Sequence, residues 1–174
     1  MGGLRGFVLV GGWPGSGKTT LARALAAELD MDYLAKDEVK EALMDALGAP
    51  EDVAESRRLG RAAVTAVLRA AEGCRSAVID STWFGYSRPL VARLRGPLVE
   101  VRCVVGVDIA RERFLRRRRD RRHLDAAREE AELWGEPVVP LDVGTLVEVD
   151  TSRPVDVAAV ADRVRAALTS DAER

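Results

Sequence analysis

The segment Gly12-Trp13-Pro14-Gly15-Ser16-Gly17-Lys18-Thr19 restricts this chain more than any other feature. It fits G-x-x-x-x-G-K-[ST] at every fixed position. It follows a short apolar run, Phe7-Val8-Leu9-Val10, and opens a stretch Lys18–Leu29 in which Leu21, Leu25, Ala26 and Leu29 fall on one helical stripe. Strand, glycine loop and helix in that order make a phosphate cradle. Glycines let successive backbone N–H groups turn inward without a Cβ clash, and the helix start presents its positive end to the same anion. Lys18 adds a point charge near the β- and γ-phosphates of a nucleoside triphosphate, and Thr19 an oxygen for Mg²⁺. Gly12, Gly15, Ser16, Gly17, Lys18, Thr19 and Thr20 are the expected nucleotide-binding residues. A dinucleotide site would need G-x-G-x-x-G, and Thr20 stands where its last glycine would be. Asp37 does fall about 20 residues on, where a ribose-binding acid would sit, but Gly-Lys-Thr decides for a triphosphate.

The remainder alternates strand-like and helix-like stretches. Strands are expected at Met31–Ala35, Ala77–Ile79, within Leu98–Val107 and at Leu146–Val149. Helices are expected at Asp37–Leu47, Val53–Ala71, Arg88–Leu94, Ile109 to about Arg119, about Leu124–Leu133 and Val155–Leu168. In the second of these ranges Val39, Leu43, Met44 and Leu47 share a face, and Gly48 and Pro50 close it. Such alternation predicts an α/β fold: a five-stranded parallel sheet flanked by helices, with residues 1–174 as one domain. Ligands then bind beyond the carboxyl ends of the strands, which here carry Asp37, Asp80–Tyr86, Asp108 and Asp150–Ser152.

Composition removes other classes. Lys+Arg 27 against Asp+Glu 28 gives a formal charge of −1, which argues against a nucleic-acid coat or a membrane-surface protein. No run of 18 apolar residues spans a bilayer and residues 1–12 lack a secretory pattern, so a cytoplasmic protein is expected. Two cysteines, Cys74 and Cys103, exclude a disulfide scaffold, and the single histidine, His123, is expected on the surface. Among triphosphate-binding classes, none of the three lysines lies in an Asn-Lys-x-Asp guanine reader. The third strand ends Asp80-Ser81, without the glutamate that polarises water in motor ATPases. Transfer to a bound hydroxyl remains. A carboxylate at the end of the second strand, Asp37, can take the hydroxyl proton; its other plain reading is a helix cap.

The stretch GWPGSGKTTLARALAAELDMDYLAKDEVKEAL, from Gly12 to Leu43, resembles the P-loop kinase-like family that contains the kinase domain of phage polynucleotide kinase. It is more distantly similar to chloramphenicol phosphotransferase, the zeta toxins, and gluconate and shikimate kinases. The resemblance continues at Val78–Thr82, Arg88, Arg111–Arg122 and Val149–Ser152. It implies a general base at Asp37, a basic residue holding the site at Lys40, and an acid near Mg²⁺ or the acceptor at Asp80. It further implies a basic substrate residue at Arg88 and a loop at Thr151 passing the nucleotide base. Lysine replaces arginine at positions 36 and 40, which loses bidentate geometry. The acceptor loop Ser81–Ser87 is aromatic and departs from the polynucleotide kinase pattern. Its Trp83, Phe84 and Tyr86 are read either as a platform for a flat or sugar-like substrate or as ordinary packing.

Residues 111–122 hold eight arginines and two acids, a formal +6, so the rest of a −1 chain carries −7. A patch so concentrated after the fourth strand reads as a helical lid, about 111–135, that lays arginines on the transferring phosphoryl and excludes water. Arg113, Arg117 and Arg121 share a face at i+4 spacing; Arg117 and Arg121 are expected to act on the phosphoryl and Arg113 on the nucleotide. A solvated face and a nucleic-acid contact are the other readings of the run.

The expected function is Mg²⁺-dependent transfer of the γ-phosphoryl of ATP or GTP to a hydroxyl of a small molecule: a sugar, a nucleoside or a hydroxylated natural product, antibiotics included. The alternatives are a polynucleotide 5′-hydroxyl kinase and, in another class, a low-turnover nucleotide-binding regulator or toxin-like protein. Expected partners are a nucleoside triphosphate and a small hydroxylated substrate, with no membrane and no nucleic acid.

Overall fold

A computed structural model describes residues 4–116, 121–124, 133–134 and 138–172. Five parallel strands, β1 (Gly6–Gly12), β2 (Asp32–Ala35), β3 (Ser76–Asp80), β4 (Leu98–Val104) and β5 (Thr145–Asp150), lie in the order β2-β3-β1-β4-β5. The helices are α1 (Lys18–Leu29), α2 (Lys36–Leu47), α3 (Val53–Ala71), α4 (Arg88–Val91), α5 (Val107–Arg116) and α6 (Val157–Ala172). The parallel α/β architecture read from the sequence is the one observed.

Strand alternation divides the core in two. Val8 and Val10 of the central strand face α1 and α6, meeting Leu21, Leu25, Val160, Val164 and Leu168. Phe7 and Leu9 face the opposite layer, with Val64, Val67 and Leu68 of α3 and Val91 of α4. All seven residues of β1 are buried, as a central parallel strand covered on both faces requires.

The sheet order places the site. β1 has β3 on one side and β4 on the other, so the chain reverses direction across the sheet at its centre and leaves a crevice beyond the carboxyl ends. Register puts Val10 opposite Asp80, Gly12 opposite Cys103 and Ala35 opposite Asp80. The glycine loop, Asp80 and the start of α2 therefore converge.

Three expectations differ locally. Leu47 is 72% exposed, because α2 buries Lys40 and Met44 and turns its last residue away. The helix expected at Arg88–Leu94 is regular only over Arg88–Val91. Its Pro89 lies in the first turn, where the missing N–H costs nothing, and Ala92 to Leu94 continue as turns. The chain enters α5 at Val107, two residues earlier than expected. Most of the helix expected at about 124–133 lies outside the described residues.

Candidate active site

The loop after β1 has the backbone its sequence requires. Gly15 and Gly17 have φ of 77° and 85°, in the left-handed region that favours glycine. A Cβ on Gly15 would collide with the Ala110 carbonyl oxygen of α5, and one on Gly12 would come 2.6 Å from Ser16 Oγ. The Ser16 amide donates to the Trp13 carbonyl at 3.0 Å, closing the turn. Helix α1 starts at Lys18 with Gly17 as cap, without a side-chain cap and without an acid in its first turn. Its first amides and positive end are thus not satisfied by a capping side chain of the helix. Lys18 is buried, with Nζ 3.5 Å from the Trp13 carbonyl. Ser16 Oγ is buried and has no hydrogen-bond partner among the described residues, as expected of a group built to meet a ligand.

Asp80 ends β3, 6% exposed. Its Oδ2 accepts from the Tyr33 hydroxyl at 3.3 Å, while its Oδ1 is buried without a partner among the described residues. Burial raises its proton affinity. The charge of Lys18 and the nearby Thr19 hydroxyl oppose that, and the neighbouring Asp37 charge adds to it. An unpartnered carboxylate oxygen beside a threonine hydroxyl, next to a phosphate cradle, suits a hard cation such as Mg²⁺. Mg²⁺ takes one or two protein oxygens and completes its shell with water and phosphate. Thr19 and Asp80 would hold it.

Asp37 lies in the first turn of α2 directly after β2. The cap position belongs to Ala35, with no side-chain cap bond, so the capping role weighed for Asp37 is not its place in the helix. Its carboxylate is partly exposed and pairs with Lys36 Nζ at 3.1 Å. Lys36 also packs against Gly60 of α3, where a Cβ would meet Nζ at an ordinary contact distance of 3.7 Å.

A family described as an AAA domain matches residues 7–134. The chain belongs to that AAA domain family. Its fold is P-loop kinase-like. Similar solved structures include a "putative kinase" from Chloroflexus aurantiacus, 29% identical at a TM-score of 0.76 over 95% of this chain and 99% of that one. A gluconokinase from Sinorhizobium meliloti aligns at a TM-score of 0.62 and 18% identity, over 99% and 96%. Among curated proteins, Rv2004c of Mycobacterium tuberculosis, an uncharacterized protein, is 35% identical over 63% of this chain. The chain spans 25% of that relative's length.

Within this AAA domain protein, several expected site residues have other work. Lys40 is fully buried and donates to Ser56 Oγ at 2.7 Å; Ser56 donates in turn to the His123 carbonyl at 3.3 Å. Lys40 therefore ties α2 and α3 to the arginine-rich segment. Trp83 corrects the substrate-platform reading: its indole is buried in the α3 layer and its N–H donates to the Val10 carbonyl at 3.1 Å. Phe84 and Tyr86 remain exposed, stacked at 6.2 Å, with the Arg61 guanidinium 5.3 Å from the Tyr86 ring. Arg88 is exposed and donates to the Asp142 carbonyl at 3.3 Å, which holds a chain segment. Arg113, expected on the nucleotide, is engaged with the loop after β5. It donates to the carbonyls of Thr151 at 2.8 Å and Ser152 at 3.2 Å, fixing the loop after β5. Thr151 is buried, its amide and hydroxyl both on the Val104 carbonyl, and lies against Gly17. Thr20 is exposed on α1. Arg117 and the side chain of Arg121 lie outside the described residues.

Sequence reasoning missed four features. His123, expected on the surface, is buried with Nε2 2.9 Å from Glu41 Oε1, and Arg122 pairs with Asp45 at 2.6 Å, so 121–124 docks on α2. Glu100 of β4 is buried and accepts the amides of Leu141 and Val143 at 2.7 and 2.8 Å. Trp13 of the phosphate loop stacks on Trp134 at 5.5 Å, with Phe114 edge-on to the same ring. Tyr33 reaches Asp80. Only Trp13, at a variable motif position, carried a signal: a large ring there needs a partner.

Proposed function

We propose that this protein is an Mg²⁺-dependent kinase that moves the γ-phosphoryl group of ATP or GTP to a hydroxyl group of a small molecule. One observation carries the reading: Asp37 stands beside Asp80 at neighbouring strand ends, with Lys18 of the phosphate loop close enough to act on Asp80. The acceptor oxygen attacks the γ-phosphorus, the bond from that phosphorus to the β-bridging oxygen breaks, and the nucleoside diphosphate leaves. The acceptor proton passes to the Asp37 carboxylate. Lys18 and the loop amides balance charge on the phosphates. Mg²⁺, held by Thr19 and Asp80, would neutralise the β- and γ-oxygens. The residue after Asp80 is Ser81 and not a glutamate, in keeping with transfer to a hydroxyl and not to water. The arginine-rich segment serves as a lid, docked on α2 through Arg122 and His123. Similarity to the Chloroflexus protein supports kinase activity, and the shared fold of the gluconokinase is in keeping with a small hydroxylated acceptor. The experiment is a panel of sugars, nucleosides and hydroxylated natural products monitored for release of nucleoside diphosphate. Acceptor-dependent release supports the reading. Release that no acceptor stimulates counts against it, and binding of an oligonucleotide that falls steeply with salt would point to the polynucleotide acceptor.

A further inference from the structure

Asp80 has a partner on Oδ2 and none on Oδ1 among the described residues, and the partner on Oδ2 has no part in the chemistry proposed above. Tyr33 comes from β2, an edge strand, three positions before α2 begins. Its hydroxyl donates to Asp80 Oδ2 at 3.3 Å. A phenol hydroxyl facing a carboxylate oxygen is the donor of the pair, and Asp80 Oδ2 the acceptor. The ring is itself fixed: the Arg23 guanidinium of α1 lies 5.4 Å from its centroid, and Arg23 pairs with Glu38 of α2 at 2.6 Å. Asp80 Oδ1 is left buried and without a protein partner among the described residues.

We infer that Tyr33 is a positioning residue for the metal site, gripping Asp80 Oδ2 so that Oδ1 is presented to a divalent cation bound with the nucleotide. A carboxylate free to rotate about its Cβ–Cγ bond would offer either oxygen and lose part of its affinity on ordering. Outer partners of metal-ligating carboxylates act this way, and their loss commonly weakens metal binding by about ten- to a hundredfold. A single neutral hydrogen bond at 3.3 Å belongs at the lower end of that range. The inference rests on the proposed nucleotide site but not on the acceptor or on turnover.

The test uses Mn²⁺ as probe, with ADP, and reads binding alone. In the parent and in Tyr33→Phe, calorimetry gives the ADP affinity without metal, and electron paramagnetic resonance gives the Mn²⁺ affinity at saturating ADP. Tyr33→Phe keeps the ring under Arg23 and loses only the hydroxyl. The expected result is Mn²⁺ bound about tenfold more weakly, with ADP affinity in the absence of metal within about twofold of the parent. Melting without ligand checks the fold, and Arg23→Gln, which releases the ring from its cation, should give the same signature in weaker form. Mn²⁺ affinity equal to that of the parent would overturn the inference. So would an equal loss of ADP affinity without metal, since that is what a merely structural role for the tyrosine predicts. If Mn²⁺ binding weakens as expected but no acceptor is ever phosphorylated, the positioning role stands and the proposed activity fails.

Discussion

Replacing Asp37 by asparagine should separate chemistry from architecture, because the structure makes the two effects differ in size. The side chain does not cap α2; Ala35 holds that position. What asparagine gives up structurally is therefore small. The pair with Lys36 is about a third exposed and is worth at most about 1 kcal/mol after solvent screening. The favourable charge in the first helical turn adds about 0.3–1 kcal/mol. A total on the order of 1 kcal/mol lowers the melting temperature by about 2–4 °C in a chain of this size. A general base is worth ~10²–10⁴-fold in rate, or about 2.7–5.5 kcal/mol of barrier. Asp37→Asn should thus lose at least about a hundredfold in acceptor-dependent turnover while melting within a few degrees of the parent. Nucleotide affinity should change little, since the proposed role of Asp37 is at the acceptor and not at the β-phosphate. The assay is steady-state release of nucleoside diphosphate on the true acceptor, beside calorimetric nucleotide titration and a thermal melt. Turnover near that of the parent would remove Asp37 from the mechanism and leave Asp80 as the carboxylate to examine.

Asp80 should show the cost of keeping a carboxyl group buried. Burial raises its folded-state pKa above the ordinary 3.8, so its contribution to stability is fully present below that value and is lost as pH rises through the folded value. Asp80→Asn should therefore melt higher than the ligand-free parent at neutral pH, the gain fading in acid, while Mn²⁺ binding with ADP is lost; a lower melting temperature at neutral pH would contradict this. If the arginine-rich segment is the proposed lid, amide hydrogen exchange in 107–116 and 121–124 should slow when nucleotide and acceptor are bound together. Unchanged exchange in a saturated complex would return the arginine run to a solvated face.

Much of the fold was legible because its signals are local. Four apolar residues, a glycine loop and an amphipathic helix specify β1 and α1, and β2, β3 and β5 are short runs closed by Lys36, Asp80 and Asp150. The positions of Asp37 and Asp80 were legible for the same reason: Asp80 ends one strand and Asp37 follows another, and a parallel sheet delivers strand ends to one crevice. What could not be read depends on distant partners. Lys40 looks like a site cation in sequence, yet its ammonium is spent on Ser56, sixteen residues on. Trp83 sits in an aromatic acceptor loop, but register brings it over Gly11, where a Cβ would come 2.8 Å from the indole. Arg113 was expected on the nucleotide, and its hold on the carbonyls of Thr151 and Ser152, 38 and 39 residues on, has no signal in the sequence. His123 reads as exposed in a charged stretch and is buried because Glu41 and Ser56 receive it.

The central claim is that the loop around Lys18 delivers a γ-phosphoryl group to a hydroxyl. The direct measurement follows the label from γ-³²P-ATP into the acceptor that emerges from the panel, in the parent and in Lys18→Ala. The account predicts label on the acceptor in the parent and a loss of about 10²-fold or more in the folded variant, since charge stabilisation dominates this transfer. Label released only as inorganic phosphate, or transfer by Lys18→Ala at close to the parent rate, would contradict it.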